Sequence, residues 1–168
     1  AIKGSLASTG PSSILTTNHL LSLSNVLLAQ GRLKDAETIA GKIIGFHMAA
    51  GFSDKNTSKL KAHLVKARAF SGQGLWREAG AEFSFIQDAI GDQPSILTSS
   101  LKTSPAFGLA LSYSGEHAEA EKLLSGLVKF NRETLGEKSI TTALSRGALG
   151  VVLNRSGKGV EALPLLEA

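Results

Sequence analysis

The sequence predicts an all-α fold: a right-handed α-solenoid of four helix–turn–helix units, about eight helices in all. Three observations predict it. Four glycines, Gly31, Gly74, Gly115 and Gly157, recur at spacings of 43, 41 and 42 residues, and a period of this length marks stacked copies of one structural unit. Each is followed four residues on by an acid (Asp35, Glu78, Glu119, Glu161) and five on by an alanine (Ala36, Ala79, Ala120, Ala162). No segment shows the alternating Val, Ile and Thr pattern of a half-buried strand.

A glycine between two helical stretches ends the first in the left-handed backbone region without a Cβ clash. Seven residues before each glycine stands a small residue (Ser24, Ala67, Gly108, Gly150). Four before it stands a large apolar one (Leu27, Phe70, Leu111, Leu153), and nine after it Ala40, Phe83, Leu124 or Leu166. Small residues at fixed offsets let two helices approach closely, and large ones fill the adjacent gap.

The elements follow in order. Residues 1–12 mix small and polar types and read as a leader or the end of a preceding unit, with 13–168 forming the repeat domain. The first unit pairs helices near 13–30 and 33–50. A loop runs from Gly51 to Asn56, and Thr57 or Ser58 is placed to cap a helix reaching about Ser71. Its mate spans 76–90, before a break at Gly91-Asp92-Gln93-Pro94. Helices 95–113 and 117–134 make the third unit, with Pro105 an irregularity inside the former. Gly136-Glu137-Lys138 breaks the chain again, ahead of helices 139–155 and 159–168. Pro164 falls within the last helical pattern and is expected to kink it or to sit in its first turn. The chain starts at Ala1 without a Met and stops partway through a second helix with no polar capping helix, as a piece of a longer protein would.

Composition narrows the function. A chain of 168 residues is one domain's worth and buries a reasonable core. Aromatics are only 5%, so that core is aliphatic. No cysteine is present, which excludes disulfides and thiolate zinc sites. No apolar run approaches the ~18–20 residues of a membrane span, and no signal or lipidation motif stands out. A cytoplasmic chain is expected, with periplasm and secretion left open. Residues 1–84 hold ten Lys/Arg against five Asp/Glu, and residues 85–168 eight against nine. Much of the excess lies in one helix: Lys55, Lys59, Lys61, Lys66 and Arg68. At helical spacing Lys61 and Arg68 share one edge, and Lys55, Lys59 and Lys66 the opposite one. Leu60, Leu64 and Ala67 form one apolar flank, and Ala62, Val65 and Ala69 the other, which suits a middle position in a stack.

Catalytic chemistry is not in evidence. His19, His47, His63 and His117 lack metal-type spacing. Gly72-Gln73-Gly74 is a helix-ending turn, with no Gly-Lys-Ser/Thr after it. The acid pairs Asp35/Glu37 and Glu119/Glu121 point to different sides of a helix, and no serine sits in Gly-x-Ser-x-Gly. A non-enzymatic chain without cofactor or metal is expected.

The small, large, glycine and alanine positions together resemble the tetratricopeptide repeat. The period of about 42 residues is longer than the usual ~34 and is similar to repeats of kinesin light chains and of bacterial proteins carrying a caspase-like (CHAT) peptidase domain. Phe130-Asn131-Arg132-Glu133-Thr134-Leu135-Gly136-Glu137-Lys138 resembles the end of their second helix, and Ser139 to Gly157 their next first helix. The early first-helix aromatic of that family is replaced by Leu20, His63, Ser104 and Arg146. Its paired asparagines are replaced by Leu21-Ser22, Leu64-Val65, Pro105-Ala106 and Gly147-Ala148. Lys66 stands where the family more often has an apolar residue and is expected to snorkel.

The resemblance implies a protein–protein interaction scaffold whose first helices line a concave groove. Its groove positions fall on Asn18, Leu21, Asn25 and Leu28; on Lys61, Leu64, Arg68 and Ser71; on Lys102, Leu109, Ser112 and Tyr113; and on Leu144, Val151, Asn154 and Arg155. Lys61, Arg68, Lys102 and Arg155 face no acid in that set, which implies an acidic or C-terminal-carboxylate peptide as partner. Nucleic acid is not expected, because no aromatic repeats at a groove position and Tyr113 is the only tyrosine. The alternatives are a regulatory or sensor array of a larger enzyme, such as a CHAT-type peptidase, and self-association through uncapped ends.

Overall fold

The computed structural model describes residues 13–91, 99–101 and 103–167, with no strand among them. The expected leader, the Asp92–Pro94 break, the start of the predicted helix 95–113 and Lys102 lie outside the described residues. The chain divides into two compact units, Ala1–Gln93 and Pro94–Ala168. The first holds α1 (Ile14–Ala29), α2 (Leu33–Ala49), α3 (Thr57–Gly72) and α4 (Trp76–Ile90). The second holds α5 (Pro105–Tyr113), α6 (His117–Leu135), α7 (Ile140–Arg155) and α8 (Gly159–Leu166). Within each unit every helix packs on the next, and the two first helices also touch, α1 on α3 and α5 on α7.

The periodic glycines build one turn four times. Gly31, Gly74, Gly115 and Gly157 have φ of 72, 74, 96 and 82°. The amide after each glycine (Arg32, Leu75, Glu116, Lys158) donates at 2.9 Å to the carbonyl of Leu27, Phe70, Leu111 or Leu153. The glycine amide itself donates three residues back, to Leu28, Ser71, Ser112 or Asn154. This is the Schellman closure, which satisfies carbonyls that a helix end otherwise leaves unpaired. The large apolar residue of the repeat thus closes the turn with its carbonyl, and at Leu27, Leu111 and Leu153 its side chain also fills the core.

Helix starts differ from expectation at two places. Asn56, not Thr57 or Ser58, caps α3; its side-chain oxygen accepts from the amides of Ser58 (3.0 Å) and Lys59 (3.1 Å). Asparagine is among the best N-cap residues because its short amide reaches those amides. The predicted helix 95–113 is also not continuous. Residues 99–101 are helical, and a new helix, α5, starts at Pro105. Proline has no amide and clashes with the carbonyl four residues back, while the residue before it is pushed to extended backbone. Ser104, at φ −101° and ψ 110°, takes that conformation and caps α5. Pro164 sits inside the short α8 rather than in its first turn.

The alanines after each turn mark where helices meet. Ala36, Ala79 and Ala120 are 0% exposed and Ala162 1%. Both flanks of α3 are buried, as the pattern required: Leu60, Leu64 and Ala67 on one, Ala62, Val65 and Ala69 on the other. In the second unit the small residue seven before the glycine and the large one nine after it are paired across each hairpin. A Cβ added at Gly108 would lie 2.5 Å from Leu124 Cγ, and one at Gly150 2.7 Å from Leu166 Cγ.

Candidate functional site

The cations of α3 separate by edge. On one edge each finds an acid. Lys59 is buried and pairs with Asp54 of the preceding loop. Lys66 Nζ lies 2.6 Å from Glu82 Oε1 on α4, and His63 Nδ1 lies 2.6 Å from Glu82 Oε2. His63 also stacks on Phe85 at 4.1 Å between ring centres. Lys66 therefore does not merely snorkel; it answers a carboxylate on the mate helix. On the other edge, Lys61 and Arg68 are exposed and make no ion pair with any described residue.

Burial alone would raise the Glu82 carboxyl, but hydrogen bonds from His63 and Lys66 and the Lys66 charge hold it below the ordinary range. His47, on α2, is buried beside Thr17 Oγ1 at 3.3 Å and against the Phe52 ring. Burial first, then the Lys59 charge, lowers its pKa. Both shifts act in one direction. A neutral His47 contributes stability that is full above its ordinary 6.5 and is lost as pH falls below it. Ionised Glu82 contributes stability that is full above 4.5 and is lost as pH falls further, through its folded-state value. Urea midpoints are expected to drop in two acid stages. His47→Leu should flatten the upper stage and Glu82→Gln the lower. A midpoint constant from neutral pH to below 4.5 would contradict both assignments.

The predicted groove residues fall into three groups. Asn18 and Asn25 are exposed on α1, as are Lys61 and Arg68 on α3. Leu21 and Leu64 lie beneath that surface, each 7% exposed, so they offer a partner little area. In the second unit, Leu109 and Tyr113 are half-buried on α5, while Val151, Asn154 and Arg155 are exposed on α7. Lys102 is outside the described residues. Two of the predicted residues are brought together: the Arg155 guanidinium sits over the Tyr113 ring, 3.7 Å from its centre. Its Nε donates to Ser112 Oγ at 3.3 Å, and that hydroxyl is 3.1 Å from His117 Nδ1.

Charge is divided by helix. The first helices α1, α3, α5 and α7 contain no Asp or Glu at all. The second helices α2, α4, α6 and α8 carry Asp35, Glu37, Glu78, Glu82, Asp88, Glu119, Glu121, Glu133 and Glu161. Among the described residues no cluster of three or more His, Cys, Asp or Glu is arranged to hold a metal ion. No helix among them is long and apolar enough to cross a membrane.

Residues 18–42, the body of the first hairpin, match the family model described as tetratricopeptide repeat. Two crystal structures of a Podosopora anserina protein, described as a kinesin light chain with nearly identical TPR-like repeats, share the architecture. One is 20% identical with a TM-score of 0.68, covering 99% of this chain and 79% of that one. The other, a single-substitution variant, is 20% identical with a TM-score of 0.69, covering 99% and 78%. The hairpins share the fold of these TPR-like repeats. No curated protein matches the chain. In the second hairpin, sequence reasoning missed Glu82 as the partner of Lys66 and His63. The available signal was Lys66 itself, a cation at a position that the resemblance makes apolar.

Proposed function

We propose that the chain is a protein-interaction scaffold whose acid-free first helices, taken in each unit by itself, offer exposed cations to an acidic peptide or protein segment. Tetratricopeptide repeats are generally protein-interaction scaffolds. The observation that carries the finer reading is the division of charge: four first helices without one acid, and Lys61, Arg68 and Arg155 exposed without an ionic partner among the described residues. Lys59 and Lys66, on the opposite edge of α3, are paired with acids. Arg68 is solvent-exposed, yet the surrounding protein desolvates its guanidinium and lowers its pKa. Exposed Asn18 and Asn25 add neutral hydrogen-bonding groups beside the cations.

The double reversal Lys61→Glu/Arg68→Glu is expected to weaken binding of a Glu/Asp-rich peptide about tenfold or more and to reduce its salt dependence. Lys42→Glu/Lys129→Glu makes the same charge change on second helices and is expected to leave affinity within about twofold. Isothermal titration at two salt concentrations reads both. Equal losses in the two double variants would reduce the effect to net charge and refute the face assignment.

A further inference from the structure

The second unit holds an arginine fixed in a way the first-unit cations are not. Arg155, in the last turn of α7, has its guanidinium plane against Tyr113 of α5, 3.7 Å from the ring centre. Its Nε is engaged by Ser112 Oγ at 3.3 Å. Ser112 is fully buried, and its hydroxyl is held in turn by His117 Nδ1 at 3.1 Å. Ring and hydroxyl together fix both the plane and the rotation of the guanidinium. The edge bearing the two terminal nitrogens has no hydrogen bond or ion pair with any described residue. A cation in the last helical turn also balances the negative helix end. That accounts for a positive charge at this place, but not for a guanidinium tied to a neighbouring helix through Nε and a ring face.

We propose that Arg155 is a preset anchor for a two-oxygen anion, the carboxylate or phosphate of a peptide lying along α7. A planar fork held in advance loses little side-chain freedom when it makes two parallel hydrogen bonds to such an anion. The neighbouring surface sets the rest of the ligand. Val151 is one turn before Arg155 and Leu144 two turns before Val151, so all three share a face of α7. Val151 is 37% and Leu144 63% exposed. The peptide therefore carries aliphatic side chains on the side of its anion that follows α7 toward its start. This rests on the reading of the chain as a scaffold for acidic peptides and adds the residue and the ligand pattern to it.

The test uses the full 168-residue chain and three fluorescein-labelled peptides of one aliphatic sequence, with Glu, phosphoserine or Gln at the anionic position. Binding is read by fluorescence anisotropy for the wild type, Arg155→Lys and Lys61→Glu/Arg68→Glu. Arg155→Lys keeps the charge and loses the fork, and its thermal melt by circular dichroism verifies folding. It is expected to lose about tenfold on the Glu or the phosphoserine peptide and nothing on the Gln peptide. Which anionic peptide shows the loss identifies the anion. Wild-type affinity in Arg155→Lys overturns the anchor. If Lys61→Glu/Arg68→Glu still weakens binding in that case, only the anchor fails and the scaffold reading stands. No binding of either anionic peptide, or no loss in any variant, overturns both.

Discussion

Truncating Phe83 to alanine is expected to cost the first unit about 3–5 kcal/mol, the largest single-residue effect in the chain. Phe83 is fully buried on α4, at the position nine residues after the turn glycine. Across the repeats this position holds Ala40, Phe83, Leu124 and Leu166. Phe83 is the bulkiest of the four, and no other aromatic side chain in the described core is wholly enclosed. Removing the ring forfeits its transfer from water and leaves a cavity lined by side chains already close-packed. Urea unfolding should show a lower midpoint with an unchanged slope. A loss under about 1 kcal/mol would contradict a rigid, close-packed enclosure around the ring.

Gly108→Ala is expected to destabilise by about 1–3 kcal/mol, whereas Gly150→Ala at the equivalent repeat position is expected to be neutral or stabilising by up to about 1 kcal/mol. In isolation, alanine favours a helix interior over glycine. The difference lies in what the new methyl meets. At Gly108 it would stand 2.5 Å from Cγ and within 2.9 Å of both methyls of Leu124, which is fully buried and has nowhere to move. At Gly150 the obstacle is Leu166, 51% exposed at the end of α8 and free to swing outward. Thermal melts of the two variants compare one substitution in one register with and without a rigid neighbour. Equal effects would show that the hairpin contact around Gly108 and Leu124 is looser than described.

These contrasts mark how far the fold was legible in the sequence. The turn chemistry is local. A glycine at positive φ, a carbonyl five residues before the amide that reaches it, and an alanine in the next helix all fall within one short window, so the periodic signal places all four turns inside the hairpins. The Asn56 cap was missed because three adjacent polar residues, Asn56, Thr57 and Ser58, all have capping side chains, and the choice depends on which adopts extended backbone. The break before α5 is signalled by Pro105 and the capping Ser104, but the apolar pattern runs across both and hides it. Burial of Leu21 follows from its place in one core cluster with Ala36, Ala40, Ala62 and Val65 of α2 and α3, which a list of groove offsets does not encode.

The candidate site was less legible for a physical reason. Which cations on α3 are unpaired depends on contacts with another helix or loop. Glu82 neutralises Lys66 from 16 residues away, and Asp54 neutralises Lys59 from a loop. The edge assignment at helical spacing separated Lys61 and Arg68 from Lys59 and Lys66, but it could not say that only the latter pair finds acids. The stacking of Arg155 on Tyr113 joins residues 42 apart, one repeat length, and both were placed on the groove. Their contact came from the packing of α5 on α7 and not from any motif.

The acid-free first helices of each unit are the binding surface proposed for it. Backbone amide shifts of the ¹⁵N-labelled chain, followed by NMR while a Glu/Asp-rich peptide is added, test it most directly. The expected result is a set of saturable perturbations concentrated on α1, α3, α5 and α7, including the amides around Lys61, Arg68 and Arg155. Perturbations concentrated on α2, α4, α6 and α8, or a spectrum unchanged at saturating peptide, would contradict it.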